Sequence, residues 1–197
     1  MSLELVDWRR RVVELYRSAR MAGGGVDAWT GWRTGREELF ASHPESPLAT
    51  GASLRWFPYD PTWRLEAVVE PAAAETWLST EGDFRRLGTA VFLPPGASEP
   101  ARLAVWWLEA YAGGLFVPFR DTTAGSLTYG GGRYLLDTAK GADLGGHDDR
   151  LVFDFNCAYN PSCAYDPRWP CPLAPAANRL ALDVAAGEML PAGAPTD

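Results

Sequence analysis

From Ser53 onward the chain is cut into short runs of aromatic and β-branched residues, each closed by Pro, Gly or Asp after about ten residues, the spacing of consecutive strands and turns. This pattern constrains the fold more than any other feature. Such residues suit a pleated, half-buried surface, and the intervals leave no room for crossover helices, so parallel α/β folds are disfavoured. The expected strands are Leu54 to Tyr59, Trp63 to Val69, Thr76 to Leu78, Phe84 to Leu93, Leu103 to Tyr111, Leu115 to Phe119, Arg133 to Asp137, Leu151 to Phe155 and Arg179 to Val184. A sheet of this kind closes or stacks to protect its edges. The reading is therefore mainly β: an antiparallel β-barrel or sandwich preceded by an N-terminal amphipathic helix.

That helix is expected over residues 3 to 20, where Leu5, Trp8, Val12, Leu15 and Ala19 recur at steps of three and four behind Ser2 as N-cap. The Gly- and Trp-rich run from Met21 to Gly35 leads to a short helix through Glu37, Glu38, Leu39 and Phe40, ended by Pro44 and Pro47. At 197 residues the chain reads as a single domain. Residues 1–45 form a helical preface, 53–188 the β core and 189–197 a flexible tail. Gly141 to Asp149 reads as an exposed polar loop carrying a solvated His147.

The net charge of −7 argues against a phosphate-backbone partner. The densest basic group, Arg9, Arg10, Arg11, Arg17 and Arg20, alternates with Glu4, Asp7 and Glu14 as a solvated helix face does. No apolar stretch approaches the roughly 18 residues of a membrane span, and no secretion signal opens the chain. The expectation is a cytoplasmic protein with neither nucleic acid nor membrane as partner. Walker, G-x-G-x-x-G, G-x-S-x-G and H-E-x-x-H patterns do not occur, which sets aside nucleotide folds, serine hydrolases and zinc proteases.

Two stretches are dense in polar chemistry. The first, Phe116 to Tyr134, is too long for a plain hairpin and combines Arg120, Asp121, Thr123, Thr128, Tyr129 and Arg133 with four glycines. Glycines admit a ligand close to the backbone, and two arginine forks suit a carboxylate or phosphate. Asp121 paired with Arg120 or Arg133 as a purely structural cap is an equally physical reading. In the second stretch the two-residue period puts Leu151, Phe153 and Phe155 on one face and Val152, Asp154 and Asn156 on the other. Turned outward, Asp154 and Asn156 are solvated; turned inward, they need partners such as Arg120 or Arg133. Asn160-Pro161 signals a turn, and the Pro-rich run after it crosses the barrel end as a plug that walls a pocket.

The cysteines, Cys157, Cys163 and Cys171, lie in one segment at a spacing that lacks zinc-ribbon pairing, and neither His43 nor His147 falls within it. Buried thiols are the plain reading. Cys163, with His43 brought near by folding, is the nucleophile reached by elimination.

The motifs F-R-D-x-T-x-G-x-x-T-Y-x-x-G-R-Y (Phe119 to Tyr134), D-F-N-x-A-Y-N-P-x-C-A-Y (Asp154 to Tyr165), C-P-L (Cys171 to Leu173), N-R-L (Asn178 to Leu180) and A-G-E (Ala186 to Glu188) resemble a family of uncharacterised proteins catalogued as domain of unknown function 1684. R-x-E-L-F (Arg36 to Phe40) and S-P-L (Ser46 to Leu48) fit as well. The resemblance implies no activity or cofactor, but its motifs fall on the same two stretches and leave Cys157 at a variable position. The expected ligand-binding residues are Arg120, Asp121, Thr123, Thr128, Tyr129, Arg133, Tyr134, Asp154, Asn156, Tyr159, Asn160, Cys163 and Tyr165. The expected function is binding of a small polar or anionic molecule at one barrel end, with or without catalysis. A protein-interaction or structural module without a ligand, and a thiol- or metal-dependent site at Cys163 and Cys171, stand as alternatives. Cofactor and oligomeric state are left open by the residues.

Overall fold

The computed structural model describes residues 3–191. The expected Ser2 cap, and the tail from residue 192 on, lie outside the described residues. Helix α1 (Leu3–Met21) carries Glu4 in its first turn and Arg20 in its last, each favoured by the helix dipole. Residues 23–25, all glycines at positive φ, turn the chain, and α2 (Val26–Ser42) packs back on α1 as a helical hairpin.

This second helix begins at Val26, well before the short helix expected around Glu37. Trp29, Trp32, Arg36 and Phe40 recur at steps of three and four and are buried, so tertiary packing overrides the poor propensity of Gly31 and Gly35. At Gly35 a side chain would strike Leu15 of α1, and glycine permits the close approach.

The strands are β1 (Arg64–Glu70), β2 (Thr76–Ser79), β3 (Gly82–Phe92), β4 (Ala101–Leu108), β5 (Leu115–Phe119), β6 (Arg133–Asp137), β7 (Gly146–His147) and β8 (Arg150–Asp154). They form one antiparallel sheet in the order β6-β5-β4-β3-β1-β8-β7, curled into a half-barrel, with β2 also paired to β3. A register shift between Arg86 and Gly88 bends β3. Its first half pairs with β2, Phe84 opposite Trp77, and its second with β1, Val91 opposite Val68.

Two expected strands are not strands. Leu54 to Tyr59 contains Pro58, which has no N–H to donate, and makes one bridge, Trp56 to Glu188. Arg179 to Val184 runs beside the end of β5 through a single parallel bridge, Arg120 to Arg179. The expected loop from Gly141 to Asp149 is also more ordered than its polarity suggests. Ala142 and Leu144 are buried in the cluster formed with Tyr16, Ala19, Trp29 and Trp32, and Gly146–His147 pairs with β8. Met189 and Leu190, where the tail was expected to begin, donate to the carbonyls of Arg55 and Leu127.

Strand alternation divides the core. Leu103, Val105, Val117, Phe119 and Phe153 pack with Val184 and Ala186 of the C-terminal segment, whereas Ala104, Trp106, Phe116 and Tyr134 pack with Phe84 and Trp77. Asn178 mends the sheet between β4 and β5. By the register that sets Trp106 opposite Phe116, Ala104 faces Pro118, which cannot donate to it. The Asn178 amide supplies the missing donor, reaching the Ala104 and Pro118 carbonyls at 2.9 and 2.8 Å, and accepts from Trp106 Nε1 at 2.9 Å.

Candidate functional site

The motif residues separate into four groups. The first is a buried knot behind β6. Asp121 Oδ2 accepts from Thr123 Oγ1 at 2.7 Å and from the Val184 N–H at 2.8 Å, and Thr123 Oγ1 lies 2.9 Å from Thr128 Oγ1. Arg133 donates to the carbonyls of Val184, Ala186 and Glu188 and to Asp121 Oδ1. Burial pulls the Arg133 guanidinium down from its usual range while Asp121 acts to hold it charged. The knot fastens the C-terminal segment to the sheet.

The second group lies under α2. Val152 and Asp154 share the strand face that packs toward the helices. Asp154 Oδ1 accepts from the N–H and the amide of Asn156 at 3.0 and 2.9 Å. Asn156 in turn exchanges two 2.9 Å bonds with the backbone of Asp60, and its carbonyl accepts from Trp29 Nε1 at 2.9 Å. Burial pushes the Asp154 carboxyl up, against the bonds from Asn156 and the charge of Arg64 at 3.7 Å.

The third group centres on Glu188, which is fully enclosed. One carboxylate oxygen accepts from Arg36 at 3.2 Å and from the Asn160 N–H at 3.0 Å; the other accepts from the Tyr165 hydroxyl. Arg36 lies over the rings of Phe40 and Tyr159 at 4.2 and 4.9 Å. Burial disfavours its charge, but the Glu188 carboxylate together with the phenols of Tyr165, Tyr16 and Tyr159 outweighs this and holds the guanidinium above its usual range. Gly187 permits the turn that delivers Glu188: its φ is 81°, and a Cβ there would sit 2.6 and 2.7 Å from the Phe155 and Ala158 carbonyl oxygens.

The fourth group is a thiol pair. Cys171 Sγ accepts from the Cys163 N–H at 3.4 Å, and Cys163 Sγ accepts from Tyr129 Oη at 3.6 Å. The Cys163 thiol lowers the Cys171 thiol to about 6, and the same pairing pushes Cys163 up. Cys157 is buried apart from them, and burial pushes its thiol well up. His43 is not their base: Nε2 lies 3.4 Å from Asp7, and Nδ1 accepts from the Glu45 N–H at 3.1 Å.

The third and fourth groups border one cavity of about 330 Å³. Its roof is the inward stripe of α1, Leu5, Trp8, Val12 and Tyr16, and its floor includes Arg36, Tyr134, Tyr159 and Asn160. Trp169, Pro170 and Cys171 of the Pro-rich crossing segment close one side, and Asp137 and Lys140, 3.3 Å apart, stand on the wall. Tyr16 Oη, Arg36 Nε and Asn160 Oδ1 are buried and have no hydrogen-bond partner among the described residues. Burial pushes the Tyr16 phenol far up, so it remains a neutral donor.

The family model for proteins of unknown function DUF1684 matches residues 51–189. The chain belongs to the DUF1684 family. The solution NMR structure of an uncharacterised protein of Haloarcula marismortui is similar to this DUF1684 protein, with 33% sequence identity and a TM-score of 0.58 over 80% of this chain and 89% of that one. The comparison with curated proteins found no match.

Of the thirteen expected site residues, Tyr134, Tyr159 and Asn160 line the cavity. Tyr165 stands behind it on Glu188, and Cys163 and Tyr129 behind Cys171. Asp121, Thr123, Thr128 and Arg133 are joined in the knot, with Arg120 beside them bonding Asn178 and Leu180 through its backbone. Asp154 and Asn156 find Arg64, Asp60 and Trp29 in place of either motif arginine. Sequence reasoning missed Arg36 and Glu188. The signal for Arg36 was its phase, a charged residue in line with Trp29, Trp32 and Phe40. Among the described residues no helix is long and apolar enough to cross a membrane, and no group of His, Cys, Asp or Glu side chains is placed to hold a metal ion.

Proposed function

We propose that this DUF1684 protein is a small-molecule-binding protein whose site is the cavity between α1 and the Asn160 to Cys171 segment. The observation that carries the reading is the set of buried, unpartnered polar atoms on cavity-lining residues, Tyr16 Oη, Arg36 Nε and Asn160 Oδ1. Buried polar groups are normally satisfied, and a mostly apolar hollow with a few polar groups is the usual form of a ligand site. Two of these atoms donate and one accepts, so the ligand's polar end both accepts and donates. Because Glu188 already balances the charge of Arg36, an uncharged head such as an amide, a hydroxyl or a protonated acid suits the inner end better than a bare anion. The aromatic walls, with Trp8 and Trp169, suit a flat or apolar body.

The test is a thermal-shift screen of aromatic and aliphatic amides, alcohols and carboxylic acids, because a ligand that binds only the native state raises the melting temperature. Val12→Trp fills the cavity and leaves the Arg133 knot untouched. An amide or alcohol that stabilises the native protein, quenches its tryptophan emission and has no effect on folded Val12→Trp supports the site. Stabilisation that survives Val12→Trp overturns it, as does a panel without hits.

A further inference from the structure

We infer that Cys171 and Cys163 form a thiol–disulfide exchange site, with Cys171 as the attacking sulfur and Cys163 as the resolving one. The inference stands on geometry separate from the ligand reading. Cys163 sits in the turn Ser162–Ala164, and the chain returns past Trp169 and Pro170 so that Cys171 Sγ lies 3.4 Å from the Cys163 N–H. That sulfur therefore receives the Cys163 N–H as a fixed donor, and the Cys163 thiol beside it lowers the Cys171 thiol further. Donors converging on a sulfur stabilise its thiolate, and the thiolate is the nucleophile.

Access distinguishes the pair from the third cysteine. Cys171 lines the 330 Å³ cavity and is partly exposed, as is Cys163, whereas Cys157 is buried under the helices. The charged and titratable groups around Cys171 include Cys163, Tyr134, and Lys140 on the cavity wall with its partner Asp137; the ammonium favours the thiolate. Tyr129, donating to Cys163 Sγ, supports negative charge on the second sulfur when its turn comes.

The co-reactant is a low-molecular-weight disulfide, RSSR. The Cys171 thiolate attacks one sulfur of RSSR, a Cys171–S–S–R bond forms, and RS⁻ leaves. Cys163 then loses its proton to solvent and attacks Cys171 Sγ, expelling the second RS⁻. Two electrons pass from the protein to RSSR, two RSH molecules are released, and a Cys163–Cys171 disulfide remains; a dithiol reductant reverses the sequence.

The test treats the reduced, full-length protein with oxidised glutathione at neutral pH, quenches with an alkylating agent and assigns each cysteine by peptide mass spectrometry. The expected product is the Cys163–Cys171 disulfide, with Cys157 left as a thiol. In Cys163→Ser the glutathionyl group stays on Cys171, and in Cys171→Ser the reaction of Cys163 is slower by about tenfold or more. Residue-resolved alkylation rates in the native wild-type protein give the same ranking without any variant. The inference is overturned by Cys171 reacting no faster than Cys163, or by a mixed disulfide that persists in the wild type.

Discussion

The Arg133 guanidinium and the Asp121 carboxylate lie 3.4 Å apart with no more than 1% of either side chain exposed. Their remaining bonds run to the Val184 to Glu188 backbone and to Thr123. Breaking a buried pair by removing one member leaves the other charge uncompensated and costs about 3–5 kcal/mol. Arg133→Ala is therefore expected to lose that much stability in urea unfolding, and Arg133→Lys, which keeps the charge but not the fork, to fall between it and wild type. A loss under about 1 kcal/mol, the range of surface pairs, would falsify the knot's structural role.

Gly187 is a second point of control. Any side chain here meets both a left-handed backbone and two carbonyl oxygens within 2.7 Å. Gly187→Ala is expected to cost about 2 kcal/mol or more, which lowers the melting temperature by roughly 4–8 °C in a domain of this size. An unchanged melting temperature means that the turn accommodates a Cβ.

Tyr16 behaves oppositely. Its hydroxyl has no partner to lose, so Tyr16→Phe is expected to leave the unliganded protein within about 0.5 kcal/mol of wild type, or to stabilise it, because an unsatisfied buried polar group is costly. Urea unfolding of the two proteins decides this, and a loss above about 1.5 kcal/mol, more than a typical net hydrogen bond, reveals a partner that removes Tyr16 from the argument for a ligand.

Cys171 sets a pH dependence. Its folded-state value is lowered to about 6 by the Cys163 donor, while an unfolded thiol titrates near about 8.5. The thiolate thus contributes stability in full above the unfolded value, and that contribution shrinks as the pH falls and is gone below the folded one. Iodoacetamide alkylation of Cys171 should show its midpoint near the lower value, and Cys163→Ala, lacking the thiol donor, should move it upward. A midpoint that ignores Cys163 sinks the assignment of charge.

Apart from Gly146–His147, the strands between Trp63 and Phe155 were legible because each carries its own run of aromatic and β-branched residues, a signal that belongs to the strand alone. Leu54 to Tyr59 and Arg179 to Val184 carry similar residues, yet their partners are single bridges to Glu188 and Arg120. What they pair with is a property of the closed molecule. The same holds for the site. Tyr134, Tyr159 and Asn160 stood out by composition, whereas Arg36 and Glu188, 152 residues apart, lack any local signal of belonging together. The cavity is roofed by the α1 stripe that sequence periodicity identifies, but period alone does not distinguish a stripe packed on a core from one left over a hollow.

The Val184 to Glu188 segment has a consequence for how the chain is made. A ribosome delivers the N-terminal part first, so the Arg36 and Arg133 side chains are complete long before the carboxylate and the carbonyls that receive them. Contacts this distant along the chain are slow to form. The two arginines stay solvated until synthesis has passed Glu188, and the half-barrel closes only once that segment has been made.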